Sequence, residues 1–422
     1  MKMYCKKLSV FLLSTALAAI AQPIHAAEEK DPYADTLLGD VAGYRSTLSH
    51  AGVDVTVDYK ADMFDVVSGG LKRGSNYLDN LDIQFTLDNE KLLGINGNKA
   101  FIYFVSNAGS KPSASRVGSI EGIDNVEVIH DTFKLLEAWD EQSFFGDTLS
   151  VLVGLHDLNS EFAVTDLSKN FLKPTMQIGQ AFAQSGRNGP SLFPTTSVAA
   201  RVKVAPTETT YVSAAVFDGV PGNVNRPHGT HIDFESSDGV LMIAEAGYTP
   251  KAAEGVEYQV NKFAVGGWVY SQKADNLVEV DSNGNPVKDR QAGAYLLSSY
   301  QIYNDARAGH TLGLFLRGDI ANDDALQVDW DYQVGVVGNG WVPTRPDSEI
   351  GAGLSQSHNG DTYMDSVGGA ADRNEYGLEV YYRDKLEKGI TVQPDFQYII
   401  NPGMDQGTDN TTILGVRFDI NF

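Results

Sequence analysis

The chain has 422 residues, of which 55 are acidic and 32 are Lys or Arg, so its formal net charge is −23. So acidic a chain repels phosphate backbones, and nucleic acid is therefore excluded as an expected partner. It holds 42 glycines, 19 tyrosines and 19 phenylalanines. Because this mixture comes without long helical periodicity, it predicts many short strands joined by glycine-containing turns in one all-β domain.

The first 26 residues have the three parts of a secretory signal peptide. Three lysines precede an apolar run over residues 8–21, and a small-residue exit ends at Ala26. The apolar run is too short for a membrane-spanning helix. We therefore predict export and cleavage after Ala26, which also removes Cys5, the only cysteine. The mature chain is then expected to be stable without disulfides.

Residues 27–52 are predicted to form a periplasmic segment that contains one short helix. Residues 40–50 place their apolar side chains at helical spacing, and Asp40 is suited to cap the start. The segment is expected to be a tether at the periplasmic mouth, with partial plugging of the mouth as the alternative. A β-barrel domain is expected to follow over residues 53–422.

Apolar and polar residues alternate along many stretches after residue 53. The last stretch is the clearest: Leu414, Val416, Phe418, Ile420 and Phe422 alternate with Gly415, Arg417, Asp419 and Asn421. A period of two places the two sets on opposite faces of one strand. Similar alternation covers residues 53–59, 81–88, 198–204, 312–317 and 376–383. A soluble sandwich shares this pattern, but its repetition behind an export signal favours a transmembrane antiparallel β-barrel.

Two further features favour the barrel. Several polar faces carry Arg opposite a wholly apolar face, as expected when one face meets lipid and the other a lumen. Aromatic residues stand near strand ends, as in interfacial girdles; they are Tyr59, Tyr381, Tyr382, Phe418 and Phe422. At about 25 residues per strand with its connection, the chain is long enough for about 16 strands, which enclose an aqueous channel.

Turn-forming residues predict three long loops. Residues 217–233 and 338–361 each contain several Gly and Pro residues and are expected to lack strands. Residues 273–290 include a run of Asp, Ser, Asn and Gly, which predicts a surface loop or the tip of a long hairpin. Long loops at one end of a barrel and short turns at the other are typical of outer-membrane proteins.

Motifs for catalysis or cofactor binding are missing from the sequence. It contains no nucleophile elbow, no zinc-protease motif and no phosphate loop. His228 and His231 are close together, but no cysteine can join them, and a solvated loop is the better interpretation than a metal site. We therefore expect no enzyme activity, no cofactor and no metal.

Four blocks of the sequence resemble the carbohydrate-selective porins of the OprB type, from about residue 37 to the end. They are residues 37–53, 137–162, 193–222 and 374–403, the last followed by residues 415–422. The last block is the most specific, with Pro394-Asp395-x-Gln397-Tyr398 and then Asn401-Pro402-Gly403. The chain departs from the family at Val41-Ala42, where a Trp is common, and this leaves sugar preference open.

The resemblance implies a barrel of about 16 strands with a narrowed lumen, through which glucose-like sugars diffuse down a gradient. It also implies that the terminal Phe422 is part of a signal read by the outer-membrane assembly machinery. The expected location is the Gram-negative outer membrane, in contact with lipid and lipopolysaccharide, as a monomer or homotrimer. The alternatives are a general or ion-selective porin, a non-conducting structural or adhesive barrel, and a barrel-embedded enzyme.

A sugar path needs hydrogen-bonding side chains and an aromatic surface, with binding weak enough for release. The planar donors of Arg suit paired hydroxyl groups. Alternation and loop position give the lumen candidates Arg201, Lys203, Arg317, Arg383, Arg417, Arg187, Glu161, Glu379, Asp395, Trp139 and Trp268, with Asp419 as a further counter-charge. For each of them the alternative is an ion pair or packing contact that only holds the barrel together.

Overall fold

The computed structural model describes residues 32–250, 259–305 and 308–422, so the predicted signal peptide lies outside the described residues. Sixteen strands make up about half of these residues. They are β1 (Val53–Ser68), β2 (Gly74–Asp88), β3 (Asn98–Gly109), β4 (Thr132–Phe144), β5 (Leu149–His156), β6 (Ser197–Thr207), β7 (Thr210–Asp218), β8 (Val240–Tyr248), β9 (Gln259–Val280), β10 (Pro286–Asp305), β11 (His310–Ala321), β12 (Val328–Asn339), β13 (Glu349–Asn359), β14 (Asn374–Glu387), β15 (Ile390–Ile400) and β16 (Thr411–Asn421).

The strands form one closed antiparallel barrel in which each strand pairs with its neighbours in sequence, and β1 pairs with β16. This confirms the predicted fold class and strand number. An even number of up-and-down strands puts the start of β1 and the end of β16 at the same end of the barrel, called here the terminal end. The opposite, loop end carries the two longest connections, residues 110–131 and 157–196.

Neighbouring residues on one strand show that the apolar face points outward. Leu316 is 43% exposed and Arg317 is 2% exposed, while Val202 is 46% exposed and Arg201 is 3% exposed. The exterior is therefore suited to lipid and the interior to polar side chains. Tyr381 was wrongly predicted as a girdle residue: it faces inward and is almost completely buried.

The described residues contain four short α-helices, of which the first precedes β1 and the other three lie in connections between strands. They are α1 (Tyr44–Ala51), α2 (Asn89–Leu93), α3 (Gln180–Ala183) and α4 (Asp361–Ser366). The first begins four residues later than the sequence predicts, because Gly43 takes a left-handed conformation at its start (φ 87°). Asp40 still satisfies this end, since its carboxylate accepts hydrogen bonds from the Ser46 amide (2.7 Å) and hydroxyl (2.6 Å). Within the described ranges, no helix is long and apolar enough to span a membrane.

Arg45 joins α1 to the seam between the first and last strands. Its guanidinium donates to the carbonyl of Phe422 at 2.7 Å and to the carbonyl of Val55 at 3.2 Å. The amide of Phe422 in turn donates to the carbonyl of Val57 at 2.9 Å. The helix therefore lies against the strands at the rim of the terminal end.

The three predicted loops have different outcomes. The loop predicted over residues 217–233 is confirmed except for its first two residues, which end β7; residues 219–239 contain no strand. Residues 273–290 form the tip of a long hairpin, because β9 and β10 continue as far as a tight turn at 281–285. The third prediction was wrong over most of its length, since only residues 340–348 lie between β12 and β13. The alternation of Gly351 and Gly353 with larger residues lets β13 begin soon after Pro346.

Residues 157–196, called here the inner segment, pack inside the barrel instead of over its mouth. Phe162, Phe171 and Phe182 are fully buried in contact with side chains from the strands. Residues 110–131, the inner loop, contribute Val117 and Ile123 to a further cluster against β1, β2, β15 and β16. The barrel interior is therefore partly filled by the chain itself, which leaves a narrower space for water.

Candidate functional site: a polar path through the barrel

Carboxylates of the barrel wall hold the inner segment through its backbone. Each accepts a hydrogen bond from a main-chain amide, which is a strong interaction when the acceptor is ionised. The contacts are Leu172 N (2.5 Å) and Lys173 N (3.0 Å) to Glu379, Ala163 N (2.7 Å) to Glu245, and Ala181 N (2.6 Å) to Asp331. The predicted candidate Glu379 thus anchors the inner segment and is not accessible to a permeant.

Arg317 is a second anchor. It forms two hydrogen bonds to Asp319, at 2.8 and 3.1 Å, and is completely enclosed. Its remaining donors reach the carbonyls of Ala163 at 3.0 Å and Gln177 at 2.7 Å. Both carbonyls belong to the inner segment, so this arginine fixes the segment to β11.

Arg417 holds the inner loop to the barrel wall in the same way. It makes paired hydrogen bonds to Asp62 at 2.8 and 2.6 Å, and it also reaches Asp124 (3.1 Å) and Asn125 (2.9 Å). Burial and the neighbouring Asp62 carboxylate raise the pKa of Asp124 well above its ordinary value. The loop therefore depends on Arg417 to offset two carboxylates that are close together.

Arg201 and Glu161 form a third anchor. The guanidinium donates to Glu161 at 2.8 Å, to Glu141 at 2.7 Å and to the hydroxyl of Ser150 at 2.6 Å. Burial alone raises the pKa of Glu161, but His156 and the nearby cations together lower it below its ordinary value. Glu161 also lies 3.7 Å from the ammonium of Lys203. Lys203 is more exposed than Arg201 and lines a cavity at the terminal end.

The other lumen candidates predicted from the sequence do not lie together in one site. Trp268 faces inward but is 3% exposed and stacked on Phe182 at 4.8 Å, so it offers no aromatic surface to the lumen. Asp395 is buried and accepts from Gln397 at 2.9 Å. Trp139 is half-buried beside Glu137, and Arg187 is exposed near the loop end, paired with Asp238 at 2.7 Å.

Polar side chains on five adjacent strands form a continuous patch, called here the polar ladder. In order from β2 to β14 it consists of Asp82, Lys60, Asp419, Gln393 and Arg383. Lys60 contacts Asp82, and Arg383 donates to Asp419 at 2.8 Å and to Gln393 at 3.3 Å. Donors and acceptors therefore alternate around this part of the wall.

The polar ladder lines one side of a cavity of about 250 Å³. The inner segment supplies the facing side through Lys169, Asn170, Gln177 and Phe193. Gln393 connects the two sides, because its amide donates to the carbonyl of Asn170 at 2.7 Å. This cavity, called here the constriction, combines hydrogen-bonding groups of both kinds with the aromatic rings of Tyr103 and Phe193. That is the chemistry that the sequence predicts for a sugar path.

Sequence reasoning found Arg383, Arg417 and Asp419 of this constriction but missed most of its other members. Lys60 and Asp82 share the inward parity of residues already recognised as polar-facing, so alternation alone could have identified them. Lys169 and Phe193 lie on the inner segment, where no periodicity indicates direction. In the parts of the chain that the structure describes, no group of three or more His, Cys, Asp or Glu side chains is arranged to hold a metal.

A closed sixteen-stranded barrel with an apolar exterior, an inward-folded segment and a polar constriction defines a porin of the outer membrane. The chain belongs to the carbohydrate-selective porin family, OprB, whose family model matches residues 72–422. Both the family and the fold are those of channel proteins.

Individual relatives agree with this assignment. The chain is 25% identical to Porin B of Pseudomonas aeruginosa, over 97% of this chain and 96% of that protein. It is 23% identical to the putative porin QuiX of Acinetobacter baylyi, over 92% and 93% of the two chains. The high-pH structure of Pseudomonas putida OprB superimposes with a TM-score of 0.81 at 23% identity, covering 92% of this chain and 98% of that one.

Proposed function

We propose that this porin conducts small carbohydrates passively, without chemical change, through the constriction between the polar ladder and the inner segment. The observation that carries the proposal is the constriction itself, where a cavity of about 250 Å³ is lined by alternating donors and acceptors. Sugar hydroxyl groups can exchange water for these partners one at a time, which keeps binding weak enough for release.

A second cavity that shares a wall residue with the constriction supports the proposal. This cavity of about 370 Å³, called here the mouth cavity, lies at the loop end. Phe193 lines both this cavity and the constriction, so its ring is placed where a permeant passes from one to the other. Apolar C–H faces of a sugar ring are suited to slide over such an aromatic surface.

Arg383 is the arginine that we propose to meet the permeant. Its side chain is 23% exposed, whereas the side chains of Arg201, Arg317 and Arg417 are 4%, 2% and 7% exposed. The buried three are committed to anchoring the inner segment and the inner loop. The contribution of arginine to the lumen is therefore mainly to shape the path, with Arg383 as the binding group.

We also propose the cellular context that the sequence predicts. The signal peptide is removed after Ala26, residues 27–52 stay on the periplasmic side, and the mature barrel contacts lipid and lipopolysaccharide. The assembly machinery reads Phe422, and the functional unit is a monomer or homotrimer. Support comes from the position of α1 and of Phe422 together at the terminal end, which suits the periplasmic side.

The test is single-channel recording of the purified protein in a planar bilayer during titration with glucose and with maltose. Stepwise conductance that sugar blocks saturably is the expected result. Replacing Arg383 with Ala should raise the half-blocking concentration about tenfold, because a hydrogen bond to a charged group contributes about 1.5–3 kcal/mol.

The matched control is Arg373→Ala, which removes the same charge from an exposed ion pair at the loop end. It should leave sugar block unchanged. Equal block in the wild type and in Arg383→Ala would remove Arg383 from the path. Conductance without block at any sugar concentration would favour a general porin, and absence of conductance from folded protein would favour a structural or adhesive barrel.

A further inference from the structure

Lys134 is a buried cation without an anionic partner. The residue is 6% exposed and lies on the inward face of β4. Its ammonium donates to the hydroxyl of Thr195 at 3.0 Å, and among the described residues no carboxylate lies within 4.0 Å of it. An ammonium has three donors, so this contact leaves two unused, and an unpaired buried charge is costly.

Lys134 is in the wall of the mouth cavity, where other charged groups are already engaged. The carboxylate of Glu127 accepts hydrogen bonds from the amide and hydroxyl of Ser113, at 3.0 and 2.6 Å. Arg226 pairs with Asp233 at 3.1 Å. Of the Lys and Arg side chains in the described wall of this cavity, Lys134 is therefore the one without a carboxylate at ion-pair distance.

A second unpaired cation follows along the same route. Lys169 is exposed in the constriction, and its ammonium has no ion-pair partner in the part of the chain that the structure describes. Phe193 lines both cavities. The chain as a whole is acidic, with a formal net charge of −23, so two cations without ion-pair partners along one path are unusual for it.

We propose that the preferred permeants are carbohydrates that carry a carboxylate, with Lys134 as the first binding group and Lys169 as the second. This inference rests on the proposed function, because it narrows the class of carbohydrate. A carboxylate on Lys134 would restore the missing counter-charge, while Thr195 and the cavity wall can bind sugar hydroxyls. Two separate cations allow the anion to move on, since neither binds it as tightly as a paired site would.

A phosphate ester fits the mouth cavity less well than a carboxylate. Lys134 is a single point charge, whereas tight phosphate sites present several donors or cations together. Arg226, the other cation in the cavity wall, already has a carboxylate partner. The geometry therefore favours a single-charged acid such as an aldonate or a uronate.

The experiment compares gluconate, glucose and glucose 6-phosphate as blockers of single-channel current at constant ionic strength and neutral pH. The wild type should bind gluconate about tenfold more tightly than glucose, since a charge-assisted contact is gained. Lys134→Gln should lower this ratio most of the way to one, and Lys134→Arg should largely keep it.

Lys111→Gln is the matched control, because Lys111 is a paired surface cation near the same mouth. It should keep the wild-type ratio. Lys169→Gln, at an exposed position, should lower the ratio partially and provides the test if Lys134→Gln does not fold. Block by glucose that equals block by gluconate in the wild type would overturn the inference and leave the proposed function intact. Stronger block by glucose 6-phosphate would overturn the choice of carboxylate, and no block by any of the three would sink the proposed function itself.

Discussion

Replacing Arg317 with Ala removes the guanidinium that joins β11 to the inner segment. Two hydrogen bonds to the carbonyls of Ala163 and Gln177 are lost, each a contribution of about 1.5–3 kcal/mol. The change also leaves Asp319 buried without its partner, and breaking a buried ion pair in this way costs about 3–5 kcal/mol. The total is large enough to loosen the segment near Gln177, which lines the constriction.

The wall carboxylates that hold the backbone of the inner segment remain in this variant, so the segment should loosen locally and stay in the lumen. We expect higher open-channel noise, a modest rise in single-channel conductance and weaker glucose block. The folded band on a heat-modifiable gel should also disappear at a lower temperature than in the wild type.

The double variant Arg317→Met with Asp319→Leu separates the two effects. It removes the unpaired carboxylate and should recover much of the thermal stability, because a buried ion pair can be replaced by apolar residues of similar size. The noise should persist, since the carbonyls are still unbound. Wild-type noise and block in Arg317→Ala would refute the view that this arginine positions the constriction.

Three further predictions concern other contacts. The pKa of Glu161 is below its ordinary value of 4.5, so its contribution to stability is present above that pH and is lost as pH falls further; Glu161→Gln should remove this acid dependence of the unfolding temperature. Arg45→Ala should lower the unfolding temperature and slow refolding into detergent, measured by gel shift, because it frees the carbonyl of Phe422. Gly266→Ala should destabilise the barrel by about 1–3 kcal/mol, measured by urea unfolding, since its Cβ would lie 2.2 Å from the ring of Tyr295.

Alternation made most of the barrel predictable from sequence. A lipid-facing strand must repeat its apolar residues at every second position, so parity alone assigned Arg201, Arg317 and Arg417 to the interior, where the structure places them. The position of a residue in the alternation predicts whether its side chain points inward or outward. It does not predict what packs against that side chain. Trp268 illustrates the difference: it points inward, but Phe182 from the inner segment lies on its ring.

The partners of the interior cations could not be predicted. Arg417 binds Asp62 from a position 355 residues away, and Arg317 binds the carbonyl of Ala163 across 154 residues. Contacts of this kind depend on barrel closure and on the conformation of an irregular segment, and neither has a periodic signal. The isolation of Lys134 is of the same type, because it is defined by the acids that do not reach it.

The seam between β1 and β16 has a consequence for the order in which this protein can fold. A hydrogen bond joins Asp58 and Asn421, which are 363 positions apart in the chain. The first strand to be synthesised therefore keeps one unpaired edge until the last strand has been made. Until then its free amides and carbonyls are a template for pairing with the wrong chain. Closing so long a loop is slow, because its entropy is lost before the seam contacts form. A chain that lacked its final strand would therefore remain an open sheet with two unpaired edges. Until the barrel closes, those edges need protection from pairing with other chains.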